Sequence, residues 1–119
     1  MYFNIQIDAI PQGRPRFYNK VAVDPPKSRK FKEDLATLLK LQLFEPALHG
    51  AIAVTIHIHR NFINPTNRNY GDIDNLAKGI LDACNGILWK DDSQIVQLEV
   101  VKRVTDSKPY VEIWAFAKD

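Results

Sequence analysis

The sequence predicts a two-layer α/β sandwich, in which two helices cover one mixed sheet of about four strands. Three observations lead there: period-two alternation of apolar residues in several short segments, two stripes at helical spacing between them, and turn-forming residues at each junction. Residues 2–9 come first. Phe3, Ile5, Ile7 and Ala9 fall on one side and Tyr2, Asn4, Gln6 and Asp8 on the other, the pattern of a half-buried strand. The segment PQGRPRFYNKVAVDPPK follows, and its prolines remove backbone donors, so a basic loop with room for a short hairpin is expected. From Ser28, read as a helix cap, Phe31, Leu35, Leu38, Leu39 and Gln42 or Leu43 form one stripe that ends before Pro46.

A second strand is expected after His49-Gly50, with Ile52, Val54, Ile56 and Ile58 inward and Ala53, Thr55, His57 and His59 outward. The polar stretch INPTNRNYG then leads into DIDNLAKGILDACNG. Here Ile73, Leu76, Ile80, Ala83 and Cys84 share a helical face, and Asn85-Gly86 supplies a left-handed stop. Beyond ILWKDD, SQIVQLEVVKRV and PYVEIWAFA read as strands joined by a polar turn at Thr105–Pro109, and an antiparallel hairpin is expected of them.

Composition narrows the functional classes. With 45% hydrophobic and 25% charged residues, the chain is suited to one packed core and too short for two, so residues 1–119 are read as one domain. No run approaches the roughly 18 apolar residues of a membrane span. A lone cysteine, Cys84, excludes an internal disulfide and a cysteine-built zinc site, and fits a reducing, cytoplasmic setting. It is read as a buried, inert packing group. Net charge is only +2, so any nucleic-acid affinity must come from local clustering. Such a cluster exists: Arg14, Arg16, Lys20, Lys27, Arg29, Lys30 and Lys32 are opposed there only by Asp24, and interleave with Phe17 and Tyr18. That mixture suits phosphate contact and base stacking.

The chemistry is concentrated between Asp72 and Asp92. Asp72 and Asp74 flank Ile73 at a helix start, and at 100° per residue Asp74, Lys78 and Asp82 lie within about 80° of one another. Asp91-Asp92 arrives where the chain turns out of the helix, able to return a carboxylate to the helix start. Gathered carboxylates repel unless a divalent cation offsets them, and an all-oxygen set suits Mg²⁺ better than zinc. The plainer alternative makes Asp72 or Asp74 an N-cap, pairs Lys78 with Asp74 and Asp82, and makes Asp91-Asp92 a turn. Spacing alone favours that alternative.

A resemblance reverses the order. D-I-D-N-L-A-K-G-I-L-D-A followed by W-K-D-D-S-Q-I-V closely resembles the RusA family of Holliday-junction resolvases, small phage and bacterial endonucleases, through the pattern D-x-D-N-x-x-K, D-A, D-D-x-Q-[IV]. The resemblance implies a RusA-like fold, and a homodimer that nicks two opposed strands of a four-way DNA junction in recombination and repair. It further implies Mg²⁺ held by Asp72, Asp74 and Asp92 with Lys78 as catalytic partner, while Asp82 and Asp91 stay open as groups that could surround or join that ligand set. The segment P-Q-G-R-P-R-F resembles an amino-terminal signature of many members, so Arg14, Arg16 and Lys20 are expected to contact DNA. Some relatives carry several basic residues directly before the first aspartate. Here Arg68 alone stands there, and it joins the expected DNA contacts.

Other residues carry weaker signals. His57 and His59 share a strand face and are chelating in type, although an exposed or hydrogen-bonded pair is the plainer reading. Trp89 and Trp114 are read as core or dimer contacts. Two rival functions stay open on residues alone: a D-x-D nucleotide-sugar transferase, and a DNA-binding module whose aspartates only cap and salt-bridge a helix.

Overall fold

The structure is a computed structural model that describes residues 1–11, 16–18, 21–23, 25–61 and 72–118, with backbone only for 16–18 and 21–23. In chain order the elements are β1 (Tyr2–Ile5), β2 (Arg16–Tyr18), β3 (Val21–Val23), α1 (Pro26–Gln42), β4 (Ile52–Arg60), α2 (Ile73–Cys84), a 3₁₀ turn (Asp92–Gln94), β5 (Ile95–Val104) and β6 (Tyr110–Ala117). The expected mixed sheet of four strands with two helices is present. Its order is β1-β6-β4-β5, with β2 and β3 forming a separate antiparallel hairpin inside the proline-rich segment.

One pairing expected from the sequence is wrong. β5 and β6 are not hairpin partners, because β4 lies between them, parallel to β5 and antiparallel to β6. The 105–109 connection therefore crosses the end of β4. The Asn61 amide donates to the carbonyls of Thr105 and Ser107, and the Thr105 amide donates to the Arg60 carbonyl. Adjacent strands in sequence usually pair, but β4 is the most deeply buried strand, and its central position covers it on both edges. Its burial is nearly continuous, with Ala53, His59 and Arg60 buried along with the inward isoleucines.

The core lies between β4, β6, β1 and the two helices. Ile52, Val54, Ile56 and Ile58 meet Phe31, Leu35 and Leu39 of α1 and Leu76, Ile80 and Cys84 of α2, with the buried ring of Trp89 in the same cluster. Each such fully buried side chain contributes about 1.5–3 kcal/mol. α1 begins earlier than its polar cue suggests. Pro25 precedes the first turn with extended backbone and Pro26 occupies it, where a missing N–H costs nothing. Ser28 thus sits inside the helix, buried, and its hydroxyl donates to the Pro11 carbonyl instead of capping. α2 ends as expected, with Gly86 at φ +80 supplying the left-handed residue one position after an extended Asn85. Ile73 departs from the expected core face. It is 39% exposed and looks into a groove beside the sheet.

Candidate active site

That groove, about 440 Å³, is lined by Ile73, Asp74, Ala77, Lys78 and Leu81 of α2, Leu98 and Val100 of β5, and Asp92 of the 3₁₀ turn. Three of the four residues singled out in the sequence as carrying chemistry, Asp74, Lys78 and Asp92, share it. Asp72 does not line it. It stands at the N-cap position of α2, exposed, and its side chain makes no capping hydrogen bond.

The local folding that returns Asp92 to α2 is specific. The Trp89 indole donates to Asn85 Oδ1 at 2.8 Å, and the Gly86 amide donates to the Trp89 carbonyl, closing a tight turn after the helix. Leu48 is tied to the same turn through its amide and the Leu88 carbonyl. Gln94 then fixes the next turn. Its Oε1 accepts from the amides of Lys90 and Asp91, and its Nε2 donates to the carbonyls of Leu48 and Gly50 at 3.0 Å each. All the hydrogen-bonding capacity of that amide is used.

Two aspartates have structural partners. Asp91 caps the 3₁₀ turn, accepting from the Ser93 amide at 3.1 Å. The Ser93 side chain first, and then the Ser93 backbone, holds its carboxyl below the usual value. Asp82 receives Lys32 at 3.5 Å and Lys78 at 3.6 Å. The sequence alternative in which Lys78 pairs with both Asp74 and Asp82 is realised only for Asp82. Among the described residues, the side chains of Asp72, Asp74 and Asp92 have no hydrogen-bond or ion-pair partner. Helix capping and salt bridging are thus done by Asp91 and Asp82, and account for none of the other three.

This donor set fits a hard cation. Two carboxylates on one open groove, without a partner among the described residues, are oxygen donors of the kind a hard divalent cation takes while keeping several waters. The aspartates are not closely gathered: among the described residues, the three ligand-type side chains whose donor atoms all lie within 4.8 Å are His57, His59 and Glu112. The sequence reading missed Glu112. Its alternation on β6 marked it as outward, but only the β4–β6 register places it directly across from His57. His59 Nε2 lies 2.6 Å from Glu112 Oε1, and the Tyr2 hydroxyl donates to Oε2 at 2.6 Å. Burial opposes ionisation of Glu112, but these hydrogen bonds and the neighbouring histidines hold its carboxyl below the usual value. Cys84 is fully buried, and loss of hydration pushes its thiol far above the ordinary range.

Of the expected DNA contacts, Arg14, Lys20 and Arg68 lie outside the described residues, and Arg16 is described only as backbone of β2. No helix among the described residues is long and apolar enough to cross a membrane.

The chain matches the family model described as Endodeoxyribonuclease RusA over residues 6–114. It is also similar to the Bacillus subtilis (strain 168) protein named Uncharacterized protein YqaN, at 30% identity over 133 aligned residues that cover 93% of this chain and 92% of that protein.

Proposed function

The chain belongs to the RusA endodeoxyribonuclease family, and on that premise we propose that it is a Mg²⁺-dependent resolvase that cuts four-way DNA junctions by paired nicks. The observation that carries this reading is the division among the aspartates. Asp82 and Asp91 have partners, whereas Asp74 and Asp92 face one groove with none among the described residues, beside Lys78.

In this reading Asp74 and Asp92 would hold the cation, with Asp72 at the helix start as the third carboxylate of the set. Bound there, a divalent cation would supply water activation and positive charge against the scissile phosphate. Lys78 adds positive charge toward a phosphate oxygen in the groove, where its value is greatest in the transition state. Asp82 tethers Lys78 at 3.6 Å and so biases where its ammonium points. Gln94 and Asp91 act by positioning, because they set the turn that carries Asp92. The apolar wall of Ile73, Ala77, Leu81, Leu98 and Val100 limits hydration of the groove. The basic residues Arg14, Arg16, Lys20 and Arg68 contact the DNA backbone, and residues 1–119 act as one domain. Two nearly simultaneous nicks need two such sites, so the working form is a homodimer.

Asp74→Asn is expected to abolish Mg²⁺-dependent cleavage of a synthetic four-way junction while gel-shift affinity for that junction stays within a few-fold. A DNA-binding module without catalysis predicts no cleavage by the unaltered chain, with or without Mg²⁺.

A further inference from the structure

The face of the sheet opposite α1 and α2 carries a second constellation, independent of the nuclease reading. Its neighbours alternate with the groove: Val100 lines the groove, while Val101 pairs with His57 and points to the other side. On this side His57 and His59 stand two residues apart on β4, and Glu112 approaches from β6 opposite His57. The donor atoms of all three lie within 4.8 Å of one another.

We propose that His57, His59 and Glu112 form a second metal site, for a Zn²⁺-class divalent cation, on the sheet face opposite the helices. Two imidazoles and a carboxylate are borderline donors that suit Zn²⁺, Co²⁺ or Ni²⁺ and not Mg²⁺, so the two sites sort cations by chemistry. Three protein ligands leave one position for water.

The surroundings are those of a held ligand set. The His59 ring stacks on Tyr110 with centroids 3.9 Å apart and planes 8° from parallel, which fixes its orientation. His57 packs edge-on against Trp114 at 4.8 Å. Tyr2 donates to the second oxygen of Glu112, leaving Oε1 to face the imidazoles. Such outer hydrogen bonds orient metal ligands and tune their affinity. Of the three, His59 is 7% exposed, while His57 and Glu112 are partly open, which gives an ion access from this face. Around a tetrahedral ion with bonds of about 2.0–2.1 Å, ligand atoms stand about 3.3 Å apart. The His59–Glu112 pair, at 2.6 Å, has to part by less than 1 Å, within reach of a glutamate rotation. The ion would then clip β4 to β6 near the sheet centre.

The test uses the full chain carrying Asp74→Asn and Asp92→Asn, so that the groove does not compete. Titration with ZnCl₂ by calorimetry should give one equivalent bound, and CoCl₂ should give the visible absorption of tetrahedral Co²⁺. His57→Asn and Glu112→Gln, each added separately, should weaken Zn²⁺ binding at least about 10-fold, and Tyr2→Phe should weaken it by a similar factor with all ligands kept. Circular dichroism checks each fold, and the isosteric Glu112→Gln decides the matter if His57→Asn does not fold. Absence of stoichiometric uptake overturns the proposal. So does uptake that survives in Glu112→Gln or in folded His57→Asn, which would put the ion elsewhere.

Discussion

At the scale of single residues, the aspartates near α2 differ by what holds them. Asp91 and Asp92 are neighbours, yet the first caps a turn and the second faces the groove. The depressed pKa of Asp91 has a definite sign. Its carboxylate contributes stability above its ordinary value of 3.8, and that contribution is lost as pH falls through the lower folded value. The melting temperature of Asp91→Ala should therefore lie below that of the unaltered chain at neutral pH and converge with it in acid; a constant gap across that range would contradict the assignment. Cys84 makes a second residue-scale prediction. Its buried thiol should resist Ellman's reagent in the native protein and react at once in guanidinium, and rapid native reaction would show that the core is open there. That burial was legible from the apolar face of α2. The different directions of Asp91 and Asp92 were not legible from spacing, since adjacent residues of a turn are told apart only by how the turn is held, here by Gln94 anchoring to Leu48 and Gly50, more than 40 residues away.

At the scale of elements, periodicity located all the main-sheet strands and both helices, because alternation and helical stripes record which face is buried. It could not supply strand order. β5 and β6 carry ordinary hairpin signals, and the decision to insert β4 between them is a matter of burial across the whole sheet. Start signals also misled where two mechanisms competed: prolines set the entry to α1 and released Ser28 to bond with Pro11. The segment linking α2 to β5 delivers Asp92, and Gln94 holds it. Gln94→Ala removes four hydrogen bonds and leaves the part-buried Leu48 carbonyl without that donor, so a loss of about 1–3 kcal/mol is expected from urea unfolding. Junction cleavage should fall with it at temperatures where the variant is fully folded. Trp89→Phe keeps most of the buried ring but orphans Asn85 Oδ1, and should cost about 1–2 kcal/mol. Equal stability in either variant would show that the turn is held by other contacts.

At the scale of the whole molecule, the sheet divides two chemistries. One face bears helices and the carboxylate groove, the other a histidine–glutamate cluster framed by Tyr2, Tyr110 and Trp114. The motif pattern pointed to the first through a family resemblance that the match over residues 6–114 bears out. The second was half legible, as the histidine pair alone, because Glu112 reaches it only through strand pairing. Paired nicking predicts a homodimer, and sedimentation velocity at micromolar concentration should find about twice the mass of the 13.6 kDa chain; a monomer bound singly to a junction would contradict it.

In the proposed resolvase, the groove aspartates that have no partner among the described residues do the chemistry, while Asp82 and Asp91 hold the scaffold. Cleavage of a labelled four-way junction, compared with a plain duplex, with and without Mg²⁺, tests it in one experiment across the unaltered chain, Asp74→Asn, Asp92→Asn and Asp91→Asn. The unaltered chain is expected to cut the junction only with Mg²⁺, with near-complete loss in Asp74→Asn and Asp92→Asn and retention within about 10-fold in Asp91→Asn, whose side-chain oxygen still caps the turn. Undiminished cutting by Asp74→Asn or Asp92→Asn would contradict it.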